Sequence, residues 1–570
     1  MSHTTICPAA HGSRVFINAM LPMRDGVKLS ADIYFPAGEG PFPAVLSRTC
    51  HNKAQDSSSY DQYRKEAALF TEAGFCYVVE DVRGRGDSQG EWYPFFNEVN
   101  DGFDTVEWIA AQPWCTGMVG IHGTSYAAHT SMMAIKSGAP HLAAAVVAGL
   151  PAEWLESGAG STGGMDTFSL FQWCAMLNGH LTQESPAAYM KGQAQAIDYM
   201  SAVRSSPQMQ WDEQIGMDIP YWREMVAHAG DRSFWEPLYM KPEDFKASHT
   251  AVLHITGWAD SSLTGAVSCY AMARSNSAVP DAQYALFGPW DHPKLKCGKG
   301  TDVFGRVHSE NCEMDLSGER VDFFRYYLRR EGDYPTRGRI RVYSTGDDCW
   351  HKCMEPAAWY GECQKKTPFF LSGSGTLVPR QEAAGKGEVS FTFDPVRDAF
   401  LPVRAETFMQ YDPVVGRSDV LRFVSAPMEH DLLYAGIGDL TVHISSDCAD
   451  TDLLACLCQV NPDGSYEKLT FLDAGRRMRF RDGYDGEKLM EPGTIYTLTL
   501  HLPPLCHLFR RGTRLALILN CAHLPLHIPN RNTGHPILSD MDHKTVTNTI
   551  HCGNGQASVL TVPLLTAETD

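Results

Sequence analysis

Residues 118–128 read Met-Val-Gly-Ile-His-Gly-Thr-Ser-Tyr-Ala-Ala, and this segment is the most informative one about the fold. A short apolar run leads into the pattern Gly-x-Ser-x-small, with Ser125 at its centre and a helix-forming segment after it. A sharp turn from a strand into a helix can hold a serine at an exposed apex, and it needs small neighbours because the backbone segments approach closely. Ala127 stands where the pattern usually has its second glycine. The stretch predicts a nucleophilic serine at a strand-to-helix turn, with an ordinary tight turn as the alternative.

A nucleophilic serine needs a base and a group that orients the base. Downstream, the apolar segment 251–255 is followed by Asp260, and the segment 284–287 is followed by a loop histidine, His292. Each residue comes just after a predicted strand, and the carboxyl ends of parallel strands are where open α/β sheets build their sites. The order Ser, Asp, His is that of α/β-hydrolases. Asp291 is the nearest rival carboxylate, but as the direct neighbour of the histidine it is poorly placed to face its ring.

The chain changes character along its length. Residues 1–150 alternate short β-rich and helical segments, which predicts a parallel sheet covered by helices on both faces. Residues 151–246 are rich in Met, Trp, Gln and Ala and indicate a helical insertion. Sheet-like sequence resumes over 247–350. Residues 351–570 show alternating segments separated by turn residues, which predicts an all-β sandwich.

The composition of the chain argues against some classes of function. The 570 residues carry 48 Lys and Arg against 67 Asp and Glu, a net charge of −19, which argues against nucleic acid and against an anionic membrane surface as partners. No apolar run reaches the roughly 18 residues of a spanning helix, and the amino terminus lacks the pattern of a signal peptide. These features predict a cytoplasmic protein.

The 17 cysteines are scattered and indicate reduced thiols. The nearest approach to a metal set is Cys349, His351, Cys353 and Cys363, but no second matched pair accompanies it. Ordinary thiols are therefore the favoured interpretation, and we expect neither a metal nor an organic cofactor.

Three motifs in order, Gly-x-Ser-Tyr, Gly-Trp-x-Asp and Gly-Pro-Trp-x-His, resemble those of the cocaine esterase / X-prolyl dipeptidyl peptidase family of serine hydrolases. Further similar segments are 81–90, 104–114, 416–421 and 461–464. The resemblance covers nearly the whole chain. It implies an α/β fold: an α/β-hydrolase domain with an inserted helical cap and a C-terminal all-β, jelly-roll-like domain.

The resemblance also implies roles for individual residues. Ser125 would be the nucleophile, His292 the general base and acid, and Asp260 the residue that orients the histidine. The backbone N–H of Tyr126 would be one oxyanion donor.

A second oxyanion donor in this family is often a tyrosine within Arg-x-Pro-Tyr-x-Lys. Residues 48–53 keep the Arg and the Lys, but His51 stands where the tyrosine would be. A neutral imidazole can donate one N–H, so His51 is the predicted donor. The alternatives are loss of this donor or its supply by Tyr60 or Tyr63.

The predicted cap also offers substrate-contacting candidates, the aromatic residues Trp154, Phe168, Phe171 and Trp173. Aromatic residues in a helical segment are more often plain core, so packing is the competing interpretation for each of them.

The sequence therefore predicts an enzyme that hydrolyses ester or amide bonds of a small molecule through an acyl-enzyme. A dipeptidyl peptidase is less expected, because residues 32–35 already fit the hydrolase sheet and leave no room for the extra N-terminal domain of that type. Two alternatives stay open: an acyltransferase of secondary metabolism with an amine or alcohol acceptor, and a non-catalytic binding protein on a hydrolase scaffold. Homo-oligomer formation is left open.

Overall fold

The computed structural model describes residues 5–8, 14–54, 58–152, 167–181, 199–352, 366–385, 387–402, 407–524, 526–536, 538–539, 541–553 and 555–566. The strands of the first part of the chain are β1 Thr5–Pro8, β2 Arg14–Pro22, β3 Lys28–Tyr34, β4 Phe42–Thr49, β5 Cys76–Asp81, β6 Cys115–Thr124, β7 Leu142–Ala148, β8 Ala251–Ala259, β9 Gln283–Asp291, β10 Asp302–Val303, β11 Arg306–Val307, β12 Ile340–Ser344 and β13 Cys349–Lys352.

The strands of the last part are β14 Thr367–Leu371, β15 Thr376–Val378, β16 Glu388–Phe393, β17 Leu421–Ser425, β18 Leu432–Gly436, β19 Asp439–Ser446, β20 Asp452–Val460, β21 Tyr466–Lys468, β22 Ala474–Arg477, β23 Tyr496–His501, β24 Leu505–Phe509, β25 Arg514–Asn520, β26 Val546–His551, β27 Val559–Val562 and β28 Leu564–Thr566.

The α-helices, numbered in chain order, are α1 Ser58–Glu72, α2 Glu98–Ala110, α3 Tyr126–Lys136, α4 Thr167–Met176, α5 Tyr199–Ser205, α6 Trp211–Gln214, α7 Pro220–Ala227, α8 Arg232–Trp235, α9 Pro242–Ala247, α10 Leu263–Asn276, α11 Leu316–Phe324, α12 Gln381–Ala384 and α13 Asp412–Val415. Within the part of the chain that the structure describes, no helix is both long enough and apolar enough to cross a membrane.

The first sheet has eleven strands in the order β1-β2-β3-β5-β4-β6-β7-β8-β9-β12-β13. The strands from β5 to β12 in this order run parallel, and antiparallel strands flank them at both ends. Every residue of β5, β8 and β9 is buried, as expected for parallel strands covered on both faces. The parallel order brings the carboxyl ends of β6, β8 and β9 to one edge of the sheet.

Helices cover both faces of this sheet. On one face, α2, α3 and α10 contribute apolar side chains such as Ile109, Met132 and Ala266 to a core with β4 and β6. On the other face, α1 and α11 contribute Phe70 and Phe324. Helices α4 to α9 lie between β7 and β8 in the chain, within the predicted helical insertion.

The last part of the chain forms a twelve-stranded sheet and a three-stranded sheet, β24-β18-β28. A largely parallel sheet with helices on both faces, followed by a β-rich last part, agrees with the predicted α/β fold class and its C-terminal all-β domain. β13 pairs with β12 as far as Lys352, so the first sheet extends just past the expected boundary at residue 350.

Candidate active site

The turn at Ser125 has the backbone geometry of a nucleophile elbow. Ser125 lies directly between β6 and α3 with φ 64° and ψ −122°, a conformation that costs energy in a residue with a side chain and is concentrated at functional sites. A Cβ on Gly123 would collide with Ala127, which explains the small residues on both sides of the serine. The Ser125 N–H donates to the carbonyl of Ala148 at 2.9 Å and ties the turn to β7. The Ser125 side chain is half-buried and reachable from solvent.

Asp260 and His292 form a hydrogen-bonded pair at the ends of β8 and β9. His292 Nδ1 lies 2.7 Å from Asp260 Oδ1, and the Asp260 side chain is buried. The Thr256 hydroxyl donates to Asp260 Oδ2 at 3.1 Å, and the Ser262 N–H donates to Oδ1 at 3.1 Å. These bonds hold the carboxylate in one orientation, so the ring of His292 is held as well.

The electrostatics of the pair favour a protonated histidine. Burial lowers the pKa of His292, but the charge of Asp260 and its hydrogen bond outweigh burial, and the pKa is raised above its ordinary value. Such a ring can accept a proton readily, as a general base must.

The rival carboxylate, Asp291, is engaged elsewhere. Its Oδ1 accepts the Lys294 N–H at 3.0 Å, and its Oδ2 lies 2.6 Å from Lys294 Nζ. Of the two neighbouring carboxylates, Asp260 is the one that reaches the ring of His292.

Gly149 lies next to the serine turn and to the Asp260–His292 pair. It follows Ala148, whose carbonyl binds the Ser125 backbone. A Cβ at Gly149 would lie 3.1 Å from Asp260 Oδ2 and 3.2 Å from His292 Cε1. The serine turn and the Asp–His pair therefore flank the same two-residue segment of backbone.

His51 lies in the loop after β4, with its backbone N–H bonded to Thr49 at 3.0 Å. Burial lowers the pKa of its ring to about 3, helped by the positive charges of Lys296 and Arg85. The ring is therefore neutral at physiological pH and carries one N–H, as an oxyanion donor requires. The carbonyl of Cys50 accepts a hydrogen bond from Arg85 Nε at 2.7 Å, which fixes the backbone just before the histidine.

The alternative donors fare differently. Tyr63 lies on α1, its ring packs in the core, and its hydroxyl donates to Thr49 Oγ1 at 2.7 Å, so its proton is already committed. The side chain of Tyr60 lies outside the described residues.

Tyr126 is anchored by a buried network of charged groups. Its hydroxyl donates to Glu98 Oε1 at 2.6 Å, and Glu98 Oε2 accepts from Arg48 at 2.8 Å. Arg48 also donates to Glu80 at 2.7 Å. Burial raises the pKa of the Glu98 carboxyl, and the Arg48 charge opposes the rise without cancelling it. The network links the start of α3, where Tyr126 lies, to the end of β4, just before His51. These contacts therefore fix the backbone next to both predicted oxyanion residues.

Two profiles of one family match the chain. The profile described as X-Pro dipeptidyl-peptidase (S15 family) matches residues 25–294, and the one described as X-Pro dipeptidyl-peptidase C-terminal non-catalytic domain matches residues 339–561. The resemblance read from the three motifs is thereby confirmed, and the first match contains all three predicted catalytic residues.

The proteins that this chain resembles support an enzyme. Cocaine esterase of Rhodococcus sp. (strain MB1 Bresler) is 26% identical, over 96% of this chain and 98% of its own. Two solved structures share the fold. An α-amino acid ester hydrolase has a TM-score of 0.82 at 23% identity, covering 98% of both chains. An aminopeptidase from the marine sediment archaeon Thaumarchaeota archaeon has a TM-score of 0.81 at 20% identity, covering 96% of both chains.

The chain is therefore a serine hydrolase, and the alternative of a non-catalytic binding protein is wrong. Neither the comparisons nor the residues that the structure describes favour an acyl acceptor, so the acyltransferase alternative gains no support.

The predicted substrate-contacting aromatics differ in how far they are exposed. Trp173 is half-buried, and its ring stacks on that of Tyr126 with centroids 5.7 Å apart. Phe171 is completely buried among the aromatic side chains of the helical segment, with Trp222 at 4.9 Å, so no surface is left for a substrate. Phe168 is buried in the same cluster. Trp154 lies outside the described residues.

The sequence did not predict several residues of the candidate active site. Gly149 follows the apolar run of β7 directly, and a glycine at a strand end was the available signal for a close approach. Thr256 lies only four residues before Asp260 and was detectable by spacing. Glu98 carried no signal, because its partners Arg48 and Tyr126 are distant in the sequence.

Proposed function

We propose that this chain hydrolyses ester or amide bonds of a small acyl substrate through a Ser125–His292–Asp260 triad and an acyl-enzyme. The observation that carries the proposal is the 2.7 Å contact between His292 and Asp260, beside the strained turn of Ser125. Similarity to serine hydrolases supports the reaction class, and the geometry of the site supports the choice of residues.

In the proposed first step, Ser125 Oγ attacks the substrate carbonyl carbon while His292 Nε2 takes the hydroxyl proton. Asp260 accepts the hydrogen bond from Nδ1 and stabilises the imidazolium that forms. The imidazolium then protonates the leaving alcohol or amine as the bond to the carbonyl carbon breaks. In the second step, water attacks the acyl-enzyme, His292 takes its proton, and the released serine recovers that proton.

The tetrahedral intermediates carry a negative oxygen that needs donors. We assign the backbone N–H of Tyr126 and the neutral ring of His51 to this role. The network of Glu98 and Arg48 supports it, because preorganised donors stabilise the transition state without a cost of reorganisation.

Two of the predicted aromatic residues differ in whether they can contact a substrate. Trp173 stacks on the ring of Tyr126 and is half-buried, so it offers apolar surface beside the proposed oxyanion site. We therefore retain Trp173 as a candidate contact for the acyl or leaving group. We leave out Phe171, because its burial gives it a packing role.

A fluorophosphonate probe tests the nucleophile. We expect one label per chain on Ser125 and loss of both labelling and esterase activity in Ser125→Ala, with turnover reduced on the order of 10⁶-fold. Ser137→Ala is the matched control: that hydroxyl lies just past the other end of α3, bonds the Ala134 carbonyl at 2.7 Å, and should be dispensable. Labelling of any other serine would overturn the assignment.

A further inference from the structure

A tight hairpin joins β12 and β13 at the end of the first sheet, and β12 pairs with β9. The strands pair with Ser344 opposite Cys349. The connecting residues turn sharply, with left-handed φ values of 100° at Gly346 and 53° at Asp348. Cys349 and His351 are two residues apart on one strand, so their side chains lie on the same face of the sheet.

Three metal-binding side chains converge at this hairpin. The ligand atoms of Asp347, Cys349 and His351 all lie within 4.8 Å of one another. His351 Nε2 is 3.7 Å from Asp347 Oδ2, which is too long for a hydrogen bond.

Two buried polar atoms in this cluster remain unsatisfied. His351 Nε2 and Asp347 Oδ1 have no hydrogen-bond partner among the residues that the structure describes. A buried polar atom without a partner costs roughly 1 to 3 kcal/mol, so such an arrangement calls for a bound group.

We propose that Asp347, Cys349 and His351 form a Zn²⁺ site. Zinc takes thiolate, imidazole and carboxylate ligands at about 2.0 to 2.3 Å in tetrahedral geometry. Ligand atoms around such an ion are roughly 3.3 to 3.8 Å apart, and the 3.7 Å between the histidine and the aspartate agrees. Cys349 is exposed, so an ion can enter from solvent and keep water as a fourth ligand.

The position of the hairpin indicates a structural role for the ion. Thr345 in the turn donates to the Cys506 carbonyl at 3.0 Å and accepts from Leu508 at 2.8 Å, which joins the first sheet to β24 of the C-terminal domain. The Zn²⁺ ion braces the turn that makes this junction, and it does not contact the triad.

The sequence pattern concealed this set. Cys349 and His351 stand out in the sequence beside the cysteines that follow them, whereas Asp347, two residues before Cys349, carries no metal-binding pattern. An aspartate in a turn is common, and only the hairpin register brings its carboxylate to the two other ligands.

The test is a titration of the metal-free full-length protein with Zn²⁺ in competition with a chromogenic chelator. Cobalt serves as a second probe, because Co²⁺ bound to a thiolate gives a charge-transfer absorption in the near ultraviolet. The variants are Cys349→Ser, His351→Gln and Asp347→Asn. Cys297→Ser is the matched control, since Cys297 is also an exposed cysteine.

We expect one ion per chain and a thiolate band that Cys349→Ser abolishes. Each of the three variants should weaken Zn²⁺ binding by more than about tenfold, and Cys297→Ser should leave it unchanged. Zn²⁺ should raise the Tm of the parent and of Cys297→Ser, but not that of Cys349→Ser. Circular dichroism shows whether each variant is folded.

Two outcomes would overturn the proposal: no Zn²⁺ binding by the parent, in which case water alone fills the space, or binding that survives both Cys349→Ser and His351→Gln. The Ser125→Ala protein should bind Zn²⁺ like the parent, so failure of the metal site and failure of the proposed catalytic role are distinguishable.

Discussion

Replacing Gly149 with alanine tests whether the convergence of the triad depends on one missing side chain. Gly149 has φ 58°, a left-handed conformation that costs an alanine about 1 kcal/mol of stability. The added Cβ would also lie 2.8 Å from Leu295 Cδ1, 3.1 Å from Asp260 Oδ2 and 3.2 Å from His292 Cε1. Carbon atoms at ordinary contact are about 3.5 to 4.0 Å apart, so Leu295 must move by roughly 1 Å and the two catalytic groups by a few tenths of an ångström.

Small displacements of catalytic groups are expensive, and an error of about 1 Å can cost about 100-fold in rate. We therefore expect Gly149→Ala to lower kcat by roughly tenfold, with a smaller effect on KM. The assay is steady-state hydrolysis of a p-nitrophenyl ester, together with urea unfolding of each variant to measure its free energy of unfolding.

Gly138→Ala is the matched control. Gly138 has φ 69°, close to that of Gly149, but a Cβ there would meet nothing within 4 Å. It should lose about 1 kcal/mol of stability and keep its kcat. A kcat for Gly149→Ala within threefold of that for Gly138→Ala would refute the reasoning.

Three further predictions concern individual side chains. Activity should fall as the pH falls through the raised pKa of His292, with a midpoint above the ordinary value near 6.5. Asp260→Asn should lower that midpoint and lower kcat by about 10⁴-fold. An unchanged pH profile would mean that another carboxylate orients the ring. His51→Ala should lower kcat by about two to three powers of ten at nearly constant KM, and His51→Tyr should restore part of it; a loss below threefold would exclude the donor role. Burial lowers the pKa of His129 to about 4, so only the unfolded state takes up that proton between pH 6.5 and 4, and the free energy of unfolding falls with the pH through this range. In urea unfolding at pH 7 and pH 5, His129→Gln should remove about 2 kcal/mol of the decrease in the free energy of unfolding. An equal decrease in the parent and the variant would contradict this.

Local sequence determined the features that depend on neighbouring residues. The strand-to-helix turn at Ser125 was predictable because Gly123 and Ala127 leave room for the backbone within a few residues. The continuous apolar run 76–79 in β5 predicted a buried parallel strand, since a strand covered on both faces needs apolar side chains on both. Asp260 and His292 were predictable as strand-end residues in the α/β-hydrolase order, although the sequence alone left Asp291 as a rival.

Only the tertiary structure decided which distant residues meet. Gly149 approaches the Asp–His pair because β7 lies between β6 and β8 in the sheet, an order that local sequence does not specify. Phe171 became core because the helical segment folds around it. His351 and Asp347 face each other because a hairpin sets their register. Local backbone preferences act over a few residues, whereas these contacts depend on sheet order, register and packing between segments that can be far apart in the chain.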